Sequence, residues 1–270
     1  FFASLITYCK HNRAQLIAIP YRYKNPTSMW SEKAESDDWW APELAPYLLD
    51  RRTVVNKHLV ILGDIKTQPT ATSPLTGFEG LTGAMSAVVA HPKLELLTVP
   101  TPQARLPKIM TTTGAVTQKN YLPAKAGKKG EFHHTFGACV VEADGSAFHL
   151  RQLNAVRDVS FMDLISEYDG EVVRPGGVAA LVMGDSHLEF VDPQVVEATF
   201  GPHGIIDTLR PKYAVWHDVH DFYSRNHHHI REPFIDFVKA STGTDDVSAM
   251  LDKTFAFVDV TCSDIRQIEF

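Results

Sequence analysis

The 270-residue sequence has no apolar run approaching the roughly 18 residues that a membrane-spanning helix needs, so no membrane partner is expected. Its three cysteines, Cys9, Cys139 and Cys262, are odd in number and too widely spaced for a zinc knuckle. That excludes a disulfide-stapled scaffold and favours a reducing, cytoplasmic setting. No G-x-G-x-x-G and no G-x-x-x-x-G-K-[ST] occurs, so the dinucleotide and P-loop fingerprints are both missing. There is no basic segment leading into an apolar one and a small-residue cleavage site, so a secretory leader is not expected either. Internal repeats and low-complexity tracts are absent. The composition, 44% apolar and 21% charged, suits a folded chain with one large core or two smaller ones.

Charge is unevenly distributed. Residues 1–180 carry 19 basic against 17 acidic groups, near +2, whereas residues 181–270 carry 7 against 15, near -8. Seven of the 13 histidines fall in that acidic third. Carboxylates and neutral imidazoles at high local density are the raw material of a divalent-metal site, because the ion offsets their mutual repulsion. The bland alternative is a solvated acidic surface. Acidity here does not exclude a nucleic-acid partner, since a metal neutralises phosphate locally while basic groups elsewhere hold the backbone. Lys119, Lys125, Lys128 and Lys129 in KNYLPAKAGKKG are the candidates for that task, in a segment expected to be a surface loop.

Patterning predicts an α/β fold with a mostly parallel central sheet flanked by helices. AQLIAI (14–19), HLVILGD (58–64) and LELLTVP (94–100) read as strands, and KIMTTTGAVT (108–117) as a strand running into a Thr-rich turn. LTGAMSAVVAHP (81–92) and DVSFMDLISEY (158–168) read as helices. FGACVVEADGSAFHLRQL (136–153) is expected to be an antiparallel hairpin, because Asp144-Gly145 separates two β-rich runs. The Trp-rich stretch holding Trp30, Trp39 and Trp40 reads as an irregular excursion or a short helix that contacts a neighbour. In the last third the order becomes a strand leading into a loop (178–187), helix (192–201, capped by Asp192 with Pro193 in its first turn), strand (212–218), a helix over 232–240, and over 247–260 another helix or a helix running into a strand. DIRQIEF (264–270) is expected to begin a further strand. Two regions follow: an α/β part over 1–175 without an assigned role, and a second part over 176–270.

Chemistry concentrates at two strand ends. ALVMG runs into Asp185-Ser186-His187, and YAVW runs into His217-Asp218 after one helical crossover. Adjacent parallel strands lie about 4.8 Å apart, so Asp185 and Asp218 are expected to face one another at one sheet edge. In D-x-H, residues i and i+2 point the same way while the backbone stays extended, which would let Asp185 and His187 grip one ion.

GDSH, followed by WHD after the next strand, resembles the opening of the calcineurin-like metallophosphoesterase superfamily, whose first motif is Asp-x-His and whose second is Gly-Asp-x-x-Asp. The resemblance covers about residues 178–270. It implies a double-β-sandwich hydrolase of phosphate esters, with 176–270 as the first part of such a domain. Asp185 and His187 match the first motif, Asp218 matches the metal-bridging Asp of the second, and Asp221 completes Asp-x-x-Asp. His217 stands where the family usually has Gly. The third motif ends in Asn-His. It falls either at Asn226-His227, which would then be the catalytic pair, or beyond Phe270, the placement slightly preferred. The later motifs, a lone His and Gly-His-x-His, are not found after residue 218. A chain with this region also resembles phage DNA-degrading nucleases. The implied activity is hydrolysis of phosphodiester bonds, DNA above all, by a water activated by two divalent ions. Mn²⁺ best suits the mixed ligands, and the implied location is the host cytoplasm. Two other classes stay open: an α/β nucleotide- or ligand-binding domain with its crevice at Asp64, and a non-catalytic module that forms homo-oligomers.

Overall fold

In a computed structural model, which describes residues 1–21, 40–102, 107–157 and 159–262, the run Leu59-Val60-Ile61-Leu62 is buried throughout and lies within a five-stranded sheet. The expected excursion at Trp30 and Trp39 and the expected strand over 264–270 lie outside the described residues. The chain divides into two units: Phe1–Asp163 with Glu167–Arg174, and Leu164–Ser166 with Pro175 onward.

In the first unit the large sheet comprises β1 (Arg52–Asn56), β2 (Leu59–Leu62), β3 (Ser86–Val89), β4 (Leu96–Val99) and β5 (Lys108–Thr112), ordered β1-β2-β3-β5-β4. β2, β3 and β5 run parallel, while β1 and β4 close the two edges antiparallel. The sheet is therefore mixed, not mostly parallel. Hydrophobicity locates a strand but leaves its direction open; direction follows from the connections, and β1 and β2 are joined by a short turn that reverses the chain. Both faces of β2 are covered. Val60 and Leu62 pack with Leu75, Ala87, Val89 and Met110, whereas Leu59 and Ile61 face Val88, Cys139, Val141, Phe148 and Leu150. This accounts for a continuous apolar run in place of strict alternation.

Two expected helices are strands. SAVV (86–89) is β3, fully buried between β2 and β5. A short apolar run does not distinguish a buried strand from a helix, and here Val88 and Val89, β-branched, settle into the ladder. The segment 158–168 holds β8 (Phe161–Asp163) and β9 (Ser166–Asp169), which lie side by side with β10 (Val172–Pro175). Leu164 takes φ 51° at the turn, and Phe161 and Tyr168 stack at 5.3 Å against Leu5 and Tyr8 of helix α1 (Phe2–Asn12). Aromatic stacking across the turn outweighs the helical reading. AQLIAI gives only a bridge, Ala18 to Leu48. The expected hairpin is present as β6 (Gly137–Ala143) paired antiparallel with β7 (Phe148–Asn154), and Asp144 Oδ1 accepts from Ser146 N and Ala147 N in the turn. The lysine-rich segment contains a helix, α2 (Lys125–His133), not only a loop.

The second unit contains a two-stranded parallel sheet, β11 (Ala180–Asp185) with β12 (Tyr213–His217). Its helices are α3 (Pro193–Phe200), α4 (Ile205–Leu209), α5 (Pro233–Thr242) and α6 (Val247–Cys262). Asp192 caps α3 by accepting from Gln194 N at 2.7 Å. Leu181 and Met183 of β11, with Ala214 and Trp216 of β12, pack against Phe200 and Ile206; Val182, Tyr213 and Val215 point to the opposite, exposed face. Among the described residues no helix is long and apolar enough to cross a membrane.

His91 is wholly buried in the first unit. Lys93 N donates to its Nδ1 and Nε2 donates to Gln68 O, each at 3.0 Å, so the neutral ring is fully used. Burial pushes its pKa below the ordinary value. A depressed folded-state pKa contributes stability that is present above the unfolded pKa of about 6.5 and is lost as the pH falls through the folded one. Urea unfolding should therefore show stability dropping below about pH 6.5. His91→Gln, less stable at pH 7.5, should show a shallower drop by up to about 1.4 kcal/mol per pH unit. An equal slope in both proteins would exclude His91 as a source of the pH dependence.

Candidate metal centre

β11 and β12 deliver their polar ends together because the parallel pairing outlasts the strands. Asp185 is in register with His217, after a bulge between Val182 and Asp185. Beyond it, Ser186 N donates to His217 O (3.1 Å), His187 N to Asp218 O (2.8 Å) and Leu188 N to Val219 O (3.1 Å). The two exit loops thus run side by side. His187 and Asp218, matched by the middle bond, both take left-handed backbone, φ 41° and 44°. The extended D-x-H geometry expected from the sequence is therefore corrected: the backbone turns at His187. Non-glycine residues in this region are uncommon, and where they persist the surroundings hold them there.

The outcome is a cluster. Asp185, His187 and Asp218 each offer a ligand atom, and these atoms lie within 4.8 Å of one another. Ligands standing about 2.0–2.6 Å from a cation are at most roughly 4–5.2 Å apart, so the spacing fits one ion. The two aspartates are exposed and His187 is half-buried, which leaves the cluster open to solvent. Two carboxylates this close repel by about 1 kcal/mol even in water-like surroundings, a cost that a cation would reverse.

Asp221 stands beside this trio. Its Oδ1 is 3.2 Å from His187 Nδ1, close enough for an ion pair but out of line for a hydrogen bond, and Nδ1 is buried without another partner. A carboxylate against one imidazole nitrogen fixes the ring and leaves the other nitrogen to coordinate. Asn226 and His227 lie further along. The Asn226 side-chain oxygen accepts from His228 N, capping a short 3-10 turn over His227–His229, and His227 is exposed with its ring 3.9 Å from that of His228.

One layer out is an arrangement that the sequence did not reveal. His220 Nδ1 lies 2.8 Å from Thr254 Oγ1 of α6 and 3.3 Å from Glu189 Oε1, while Asp221 N donates to Glu189 Oε2 at 3.5 Å. Glu189 follows β11 and His220 follows β12, so this network ties the two exit loops together and to α6. Thr254 is 34 residues from His220, and no local spacing announces the contact. Asp64, the alternative crevice residue, ends β2 in an ion pair with Arg52 at 3.1 Å, both about 40% exposed.

Titration with Mn²⁺, followed by the loss of its free-ion electron paramagnetic resonance signal, should show Asp218→Asn and Asp185→Asn binding at least tenfold more weakly than the parent. Asp221→Ala should weaken binding about 10–100-fold through His187. Unaltered affinity in the two Asn variants would mean that the cluster is only an acidic surface.

No family model matches the chain, and no solved structure matches it. The chain is 32% identical over 239 residues to Protein A1 of Escherichia phage T5, a stretch covering 84% of this chain and 43% of the phage protein. It therefore spans less than half the length of this phage relative.

Proposed function

We propose that the second unit carries a divalent-metal-dependent phosphodiesterase centre of the metallophosphoesterase kind, with DNA as substrate and Mn²⁺ as the fitting ion. The observation that supports this most is the convergence of Asp185, His187 and Asp218 at the C-terminal edge of two neighbouring parallel strands, where open α/β sheets place their ligand crevices. Asp185 and His187 would hold one ion and Asp218 would be shared with a second. Bound ions would supply an activated water and offset charge on the phosphate oxygens. Asp221 would orient His187. Asn226 and His227 are the proposed catalytic pair. Because the Asn226 oxygen is engaged as a cap, exposed His227 is the better proton donor to the leaving oxygen. A phage-encoded relative agrees with a role in the cytoplasm of an infected host. The ligand-crevice reading at Asp64 has less support, since Arg52 occupies that carboxylate.

The test is hydrolysis of linear DNA with Mn²⁺. Asp218→Asn and His187→Ala should each lower the rate by at least 100-fold, and a chelator should abolish it. Cleavage by Asp218→Asn at the parental rate would remove the basis of the proposal.

A second reading, homo-oligomer formation, is favoured by one observation. Ile230, Phe234 and Phe237, with Phe255 and Val260 of α6, are each more than 60% exposed, which is unusual for large apolar side chains in one unit. Sedimentation should give a mass above 30.1 kDa that falls in Phe234→Ser/Phe237→Ser; a parental monomer would dismiss this reading.

A further inference from the structure

Helix α2 has a composition that disfavours helices, and the reason lies in its underside. It reads KAGKKGEFH, with Gly127 and Gly130 as its buried residues. A Cβ at Gly127 would collide with Leu122 O, and one at Gly130 would lie 2.7 Å from the Tyr121 ring and 3.0 Å from Thr70 Cγ2. Only glycine lets the helix lie this close to its support. Each costs about 1 kcal/mol of helix propensity relative to Ala. His134, at the helix end, holds the same support: its ring nitrogens lie 2.8 Å from Tyr121 Oη and 2.9 Å from Thr117 O. The helix is thus seated by glycine and faces outward with everything else.

What faces outward is chemically uniform. Lys125, Lys128 and Lys129 are exposed, and among the described residues none is in an ion pair. They crowd the first turns, where the positive end of the helix dipole already disfavours cations, and no acidic residue stands in the first turn to compensate. The N-cap, Ala124, supplies no side-chain acceptor to that turn. Phe132 is 83% exposed, and its ring meets that of His133 edge-on at 4.9 Å. The three lysines, Pro123, Phe132 and His133 line one concavity of about 510 Å³. Glu131, the one acidic residue of the helix, is not among its walls.

We propose that this concavity is a binding site for single-stranded nucleic acid. The lysines would take consecutive phosphates, and Phe132 would stack on a base. Unpaired cations and an exposed aromatic ring in one groove are the elements of sequence-tolerant strand binding. An acidic polypeptide would satisfy the lysines but would leave Phe132 without a planar partner. The inference rests on the DNA substrate proposed above for the choice of partner, but the site lies in the first unit, is built from other residues than the metal cluster of the second, and does not need it.

The experiment is fluorescence anisotropy of a labelled 20-nucleotide strand with the whole chain in EDTA, which silences any metal chemistry. Lys125→Ala/Lys128→Ala/Lys129→Ala should bind at least tenfold more weakly, and the slope of log K against log salt should become shallower by about 2, from roughly 0.7 per phosphate contact. Phe132→Ala should bind about tenfold more weakly with the slope unchanged. Circular dichroism checks that each variant is folded; Lys→Gln at the same three positions, which keeps the side-chain length, should reproduce the loss. Parental affinity in the triple variants overturns the site. So does equal affinity for poly-glutamate of matched charge, or indifference to Phe132. Loss of binding with Mn²⁺ affinity intact separates this site from the metal centre.

Discussion

A single backbone register governs the second unit. Asp185 opposite His217 sets which side chains emerge at the sheet edge, and three further N–H to carbonyl bonds, from Ser186, His187 and Leu188, carry the pairing into the loops. Slip either strand by one residue and each side chain changes face. The carboxylates would then part, and Leu181 and Met183 would leave the small core they share with Ala214 and Trp216. Fold and cluster in this unit are therefore one constraint: the apolar residues that fix the register also bring Asp185, His187 and Asp218 together. The Glu189–His220–Thr254 network reinforces the arrangement from outside the sheet.

The parts of this arrangement that could be read from the sequence are those with local causes. Two β-rich runs ending in polar residues located β11 and β12, and Asp192-Pro193 marked the start of α3. The pairing of the two strand ends was an inference from one crossover, and it places Asp185, His187 and Asp218 together. His187 reaches the cluster through a left-handed turn and not along an extended strand. Asp221 was expected as a ligand and stands against the imidazole. Thr254 had no signal at all, because its contact spans a distance in sequence that only the folded chain closes.

In the first unit the misreadings share a cause. SAVV and FMDLISEY are too short for periodicity to separate helix from strand, and their partners decide the outcome: β2 and β5 on one side, Tyr8 and Leu5 on the other. The edge strands β1 and β4 run against the direction expected because connection geometry, which hydropathy does not encode, sets it. For KAGKKGEFH the error was the reverse. Two glycines argued for a loop, yet they are what permits the helix to approach Leu122 and Tyr121.

That division of labour on α2 has a consequence of its own. Seating depends on residues with no side chain, and decoration depends on residues that touch nothing beneath them. Lysines can accordingly be gained, lost or exchanged along the outer face with no compensating change in the interior, whereas neither glycine tolerates even a methyl group. Packing thus leaves the charges to be set by whatever the outer face binds and fixes only positions 127 and 130, making the emptiest positions of the segment the ones its interior constrains most.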